Sequence, residues 1–409
     1  MRPLAALAAF VLAAQGQAQP QVRPQTFSLP NGMRVVLLED HERPLVRARL
    51  HLPLAREAAT RPGFARLALR VLRHSDAGAF RIEDFEQLLA GAGIELTPAV
   101  RADGLSWSVL ARSRDQDLAL GLLADRVFRS IIDPSTLEAE RLACWRETER
   151  LEASPRARLR QLLEPDWTLQ APTLDSLAAI TYEDLLAFCT QVLRPDHAVL
   201  VLHGDLGQEQ AKRLVLLTFG TWTIQPQPPV PAALVSSPAP APPPAAPEAA
   251  RIQLPAAGGA QGALAVAAEP EDLGREAEAL LALLLPGDPI LFPADLRLEG
   301  LDLVVALETE SMGSTAAAET SLLERLQALR QRGFTDADLR RARTAWSAGR
   351  ALTALHPGTL VDEALAEARG QAVSPARMEA LTVEALNAAL RRWLDPGRIR
   401  TGVLTGVGR

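Results

Sequence analysis

The chain has 409 residues, 48% of them hydrophobic, which exceeds the usual size of one domain and suffices for two separate cores. Its 43 Lys and Arg against 49 Asp and Glu leave a net charge of −6, and no concentrated basic run breaks that balance, which argues against nucleic acid as a partner. Only two cysteines, Cys144 and Cys189, are present, too few for a disulfide framework. Both fall in expected helices, and buried thiols are the favoured reading over a bridge.

Residues 1–18 combine a positive start at Arg2, an apolar stretch over 4–14 and a small-residue end at Gly16-Gln17-Ala18. This is the pattern of a cleavable signal peptide, too short to span a bilayer, and no Cys follows it to take a lipid. No later segment has the length of a membrane span. The expected location is therefore the periplasm or the exterior.

From residue 19 to 224 strands and helices mix. Residues 27–52 read as two strands joined by a turn, with Asn31-Gly32 as a hairpin signal and alternation of apolar and polar residues over 44–52. Helical spacing covers 63–74, and a second helix covers 82–90, stopped by Gly91-Ala92-Gly93. Strands are expected over 94–97 and 105–111 with Asp103-Gly104 between them, then helices over 115–130 and 134–152. Thr181-Tyr182-Glu183-Asp184 has the form of a capping box ahead of a helix over 185–193, and 198–202 reads as a buried strand.

Residues 225–250 are rich in Pro and Ala, poor in bulky apolar groups, and expected to form a semi-rigid linker. Residues 251–409 repeat the grammar of the first part: strands over 252–254 and 263–267, a helix over 271–285, a strand over 303–308, helices over 321–332, 335–352 and 382–393, and a last strand over 401–404. The stretch from Thr181 through Gly204 parallels that from Thr382 through Gly406: a helix, a Pro turn, a strand ending in Gly. An internal duplication follows. The expected fold class is α+β: two related lobes, each an antiparallel-rich sheet with helices packed on it, joined by the Pro-rich linker.

The Leu29-Pro-Asn-Gly-Met-Arg-Val segment, the helix that opens Gly63-Phe-Ala-Arg-Leu-Ala-Leu-Arg-Val-Leu, the helix carrying Glu140 and Glu147 and the 181–205 module carry a resemblance. Together they resemble the pitrilysin/insulinase family of zinc metallopeptidases, including the mitochondrial processing peptidase and its bacterial relatives. The resemblance implies duplicated lobes facing each other across a peptide chamber. Active members carry H-x-x-E-H on a helix, where two His one turn apart hold Zn²⁺, the Glu acts as general base and a distant Glu completes the ligands.

Aligning the Gly-Phe-Ala start of that helix puts the His positions on Arg66 and Arg70 and the base on Leu69. The distant ligand position falls on Glu147, and the acidic position two turns earlier on Glu140. A lone Glu does not hold zinc, and guanidinium groups at the ligand positions repel it, because Arg does not lose its proton. No His pair elsewhere has the helical spacing with a flanking Glu, and no Gly-x-Ser-x-Gly occurs. One guanidinium is expected to take the place of the metal and pair with Glu147. The family's substrate-binding Arg and Tyr have their nearest counterparts in Arg297, one place out of register, and Leu303; the only tyrosine is Tyr182.

These observations imply no catalytic residue and no metal or other cofactor in this chain, zinc being expected only in a partner. The leading expectation is a non-catalytic subunit that pairs with an intact family member, as a heterodimer, to form a peptide-processing chamber; self-association is the other pairing. A stand-alone peptide-binding or envelope-assembly protein is the alternative, and a zinc endopeptidase with a rearranged site the third.

Overall fold

The structure, a computed structural model, describes residues 24–54, 62–101, 104–152, 172–224, 251–256, 262–268, 274–285, 288, 295–299, 302–308, 315–353 and 356–406. The expected signal peptide at 1–18 and linker at 225–250 lie outside the described residues. Among the described residues no helix is long and apolar enough to cross a membrane.

The chain opens with β1 (Gln25–Ser28), β2 (Arg34–Glu39) and β3 (Leu45–Pro53). The Asn31-Gly32 turn does join β1 to β2: Gly32 has φ 90°, and a Cβ there would stand 3.0 Å from Asp196. Asn31 also works over a distance, its Nδ2 donating to the carbonyls of Phe219 and Trp222 at 2.9 Å each. Then come α1 (Phe64–His74), the two-residue β4 (Asp76–Ala77) and α2 (Ile82–Ala92). Helix α2 runs two residues past the expected end at residue 90, through Gly91, and ends within the Gly91-Ala92-Gly93 segment. The stop is Gly93 at φ 65°, whose N–H reaches the Ala90 carbonyl while the Ile94 N–H reaches that of Leu89.

β5 (Glu95–Arg101) and β6 (Gly104–Arg112) are longer than the sequence suggested. They are followed by α3 (Gln116–Phe128), β7 (Ser130–Ile131), α4 (Pro134–Glu152), α5 (Leu174–Ala178), α6 (Tyr182–Val192), β8 (Val199–Gly204) and α7 (Gln208–Phe219). The second part holds β9 (Arg251–Ala256), β10 (Gly262–Ala268), α8 (Arg275–Leu284), β11 (Asp295–Glu299), β12 (Asp302–Glu308), α9 (Thr315–Arg332), α10 (Asp336–Thr353), α11 (Pro357–Ala368), α12 (Pro375–Ala380), α13 (Val383–Trp393) and β13 (Ile399–Gly406). The fold is α+β, with helices packed on two mixed, mainly antiparallel sheets.

The first sheet has the order β1-β2-β8-β3-β6-β5 and the second β11-β12-β10-β13-β9. In each, the strand after the last capped helix inserts between two earlier strands: β8 runs parallel to β2 and antiparallel to β3, and β13 parallel to β9 and antiparallel to β10. Without β1 the two orders coincide, as the internal duplication requires. The helices leading into these strands start alike. Thr181 accepts from the Asp184 N–H while Asp184 accepts from the Thr181 N–H; Thr382 accepts from the Ala385 N–H, and Ala385 has no carboxylate to answer.

One face of the first sheet buries Leu50, Trp107 and Leu200 against helices that contribute Leu67, Leu123 and Phe188. All six residues of β8 are buried, because the second face is covered too. Its cover is α11, whose Val361, Ala364 and Leu365 pack on Val36, Leu38, Val199 and Val201. Arg49 on β3 makes an ion pair with Asp362, and Arg34 Nη1 donates to the Ala368 carbonyl at 2.8 Å.

His203 on β8 is 3% exposed, with Nε2 3.6 Å from the Asp40 carboxylate. Burial holds its pKa below the ordinary value; Arg47 and Arg43 act in the same sense and Asp40 against it. A histidine with a depressed folded pKa stabilises the fold fully above its unfolded value of about 6.5, and the contribution is lost as pH falls from there through the folded pKa. The urea midpoint of the protein is therefore expected to drop between about pH 7 and 5, and His203→Gln to drop less. Parallel curves for the two proteins would assign the acid sensitivity elsewhere.

Candidate functional site

The site is built on α1, and α1 starts where it does because of Gly63. Its φ of 77° suits glycine, and a Cβ would come within 2.4 Å of Pro172. Beyond it Leu67, Ala68, Val71 and Leu72 turn into the core. Arg66, Arg70 and Arg73 share the opposite face, within about 60° of one another on a helix of 3.6 residues per turn. Leu69 lies at the border of that face and is buried.

α4 packs beside α1 and presents two carboxylates. Arg70 Nε donates to Glu140 Oε2 at 2.8 Å, and Arg70 Nη1 to Glu147 Oε2 at 3.2 Å. A single guanidinium thus spans both acidic positions of α4. Burial works against the Arg70 charge, but the hydrogen bond to Glu140 and the surrounding negative groups outweigh it and hold its pKa above the ordinary value. His74, one turn after Arg70, brings Nδ1 to 2.7 Å from Glu140 Oε1, off the hydrogen-bond direction. Glu140 is the enclosed member, its side chain 11% exposed against 49% for Glu147. Cys144, between them on α4, is buried, and burial raises its thiol pKa, so it remains a neutral packing group.

Arg66, Leu69, Arg70 and Arg73 of α1 line an open pocket of about 250 Å³ together with the 98–100 stretch of β5 and Glu147 of α4. Arg66 and Arg73 make no hydrogen bond or ion pair among the described residues. Sequence reasoning therefore named Arg66, Leu69, Arg70, Glu140 and Glu147, and the structure gathers all five in one place. It did not name His74 or Arg73, although their spacing from Arg70 put them on the same face.

It also missed Arg126. This residue of α3 is 1% exposed, and its Nη1 donates to the carbonyls of Leu72 and Ser75 at 2.8 and 2.5 Å, closing the C-terminal end of α1. Its guanidinium lies over the Phe85 ring, 4.0 Å from the centroid. Burial brings its pKa down to about 10, which still leaves it charged at neutral pH. No sequence signal distinguishes it from the other arginines.

The residues present do not fit zinc. A zinc site needs about three protein ligands with free lone pairs. Here two of the aligned positions carry cations, and Arg70 already occupies Glu140 and Glu147. Among the described residues no group of three or more His, Cys, Asp and Glu is placed to hold a metal ion.

The second-part residues are less closely defined. The backbone of Arg297 on β11 stands opposite Val304, and that of Leu303 on β12 opposite Leu298 on one side and Ala267 on the other. Tyr182 is structural, its hydroxyl donating to the Ile132 carbonyl at 2.9 Å.

Residues 179–285 match the family model described as the Peptidase M16 inactive domain. That segment, about a quarter of the chain, is similar to the M16 peptidases, the pitrilysin family. The chain shares its fold with solved structures over nearly its whole length. A protease from Helicobacter pylori superposes with a TM-score of 0.75 at 14% identity, covering 94% of this chain and 99% of that one. A peptidase M16 inactive domain from Pseudomonas fluorescens gives 0.73 at 15%, covering 95% and 98%. The periplasmic protease PqqL from Escherichia coli gives 0.65 at 16%, covering 96% of this chain and 47% of PqqL. No curated protein matches its sequence.

Proposed function

We propose that this M16 homologue is a non-catalytic subunit, which pairs with a relative whose H-x-x-E-H is intact and forms one wall of a shared peptide-processing chamber in the periplasm. The observation that carries the proposal is the Arg70 bridge to Glu140 and Glu147, in which a fixed guanidinium takes the place that a metal would need. The reading assigns Arg66, Leu69 and Arg70 to the positions of the His, Glu and His of active relatives. Zinc then belongs to the partner alone. Its extent supports the pairing: the chain matches the first half of PqqL over 95% of its own length and 93% of that fragment, as one unit of a two-unit enclosure would. Leu303, where a substrate-binding Tyr would be expected, favours a wall over half of an active site.

The test is co-expression with an intact M16 relative encoded in the same genome. The two chains should co-purify, and peptide cleavage should require both and be abolished by a chelator. Full activity of the relative alone, with no complex formed, would remove the pairing. Zinc and chelator-sensitive cleavage in this chain by itself would overturn the non-catalytic assignment.

A further inference from the structure

The pocket beside the Arg70 bridge has a charge imbalance that the bridge does not use. Arg70 is committed to Glu140 and Glu147. Arg66 and Arg73, on either side of it along α1, line the same pocket with no acidic partner among the described residues. Leu69 and residues 98–100 supply the apolar part of its lining. Two uncommitted guanidinium groups in a partly apolar pocket suit a planar anion with a short carbon stem, because each offers paired N–H donors that match a carboxylate.

The neighbouring strand indicates what carries the carboxylate. Residues 98–100 belong to β5, which among the described residues pairs with β6 alone and so lies at an edge of the first sheet. An edge strand leaves unpaired backbone groups along the pocket, carbonyls and, except at Pro98, N–H donors, which an extended peptide satisfies and a small free anion does not. We propose that the Arg66–Arg73 pocket binds a carboxylate of an extended peptide, the side chain of Asp or Glu or the chain's own C-terminus. The loss of zinc ligands thus leaves a recognition site of changed chemistry: a position suited to Zn²⁺ in active relatives becomes one for a negative charge. The inference uses the alignment of the preceding section only for that comparison, and it concerns the isolated chain, whether or not a partner exists.

The experiment is fluorescence anisotropy on the purified full chain without any partner, using labelled ten-residue peptides that differ only in charge. One has a central Glu and an amidated C-terminus, one a central Gln and a free C-terminus, and one a central Gln and an amidated C-terminus. Either carboxylate peptide should bind at least about tenfold more tightly than the neutral one, the scale of a charge-assisted hydrogen-bond pair, and the stronger of the two identifies the source. Arg66→Gln and Arg73→Gln, both at solvent-reached positions, should abolish that preference while leaving the circular dichroism spectrum unchanged. Glu147→Gln, which removes the one negative charge lining the pocket, should strengthen carboxylate binding. Equal binding of all three peptides, no binding of any, or a preference that survives both arginine substitutions overturns the proposal. Because no partner is present, failure here leaves the pairing hypothesis standing, and failure of pairing leaves this one intact.

Discussion

Arg126→Met is expected to lower the stability of the protein by about 3 kcal/mol, read as a fall in the urea midpoint at unchanged slope. Methionine replaces the aliphatic stem, so little volume is lost. What goes is the donor shared by the carbonyls of Leu72 and Ser75. Each buried carbonyl left without a partner costs about 1–3 kcal/mol, and the lost contact with Phe85 adds roughly another 1. Against this stands the relief of a buried charge, whose cost is visible in the lowered pKa of about 10. That relief holds the expected loss to about 3 kcal/mol rather than the sum of the parts. Arg129→Met, at the residue that follows the same helix, with its side chain 38% exposed, paired with Asp125 and hydrogen-bonded to Thr221, should cost less, about 1 kcal/mol. Equal losses for the two variants would mean that Arg126 does not hold the end of α1.

The second large effect is a gain. The combination Arg66→His, Leu69→Glu and Arg70→His should give a chain that takes up about one zinc per molecule, where the parent takes up none under the same conditions. Two cations leave the α1 face, two imidazoles one turn apart replace them, and Glu147 loses the guanidinium that now engages it. Adding Glu147→Gln should weaken or abolish uptake, since the distant ligand is then missing. Metal analysis of the purified variants decides the matter. A triple variant that folds but binds no zinc would show that these three residues are not the positions of the lost motif.

Local chemistry made part of this molecule readable. The capping box at Thr181 and Asp184 and the Gly63 start of α1 are short-range devices, and both are found as expected. The Glu140 and Glu147 positions were legible because a helix repeats, so that residues two turns apart share a face. Arg70 could be matched to Glu147 once the two helices were aligned on a family pattern.

The unread features depend on neighbours remote in sequence. β8 is apolar from Val199 to Leu202, a run that announces burial on both faces without saying what covers the second. The cover, α11, comes from more than a hundred and fifty residues later, and nothing in its pattern points to β8. Arg126 is likewise one arginine in an apolar helix until the carbonyls of Leu72 and Ser75 are brought to it. Asn31 was legible as a turn former, whereas its clamp on Phe219 and Trp222 required α7, a helix absent from the elements read from sequence.

The α11 packing bears on what happens if the chain is cut. A backbone break between residues 225 and 250 severs covalent continuity but leaves Val361, Ala364 and Leu365 on their strands and Asp362 on Arg49. Nicked protein should accordingly migrate as one species in a native gel and as two fragments in a denaturing one. The fragment ending near residue 224, expressed by itself, would expose Val36, Leu38, Val199 and Val201 together, a patch that invites aggregation. The two parts of this chain are in that sense each other's chaperone.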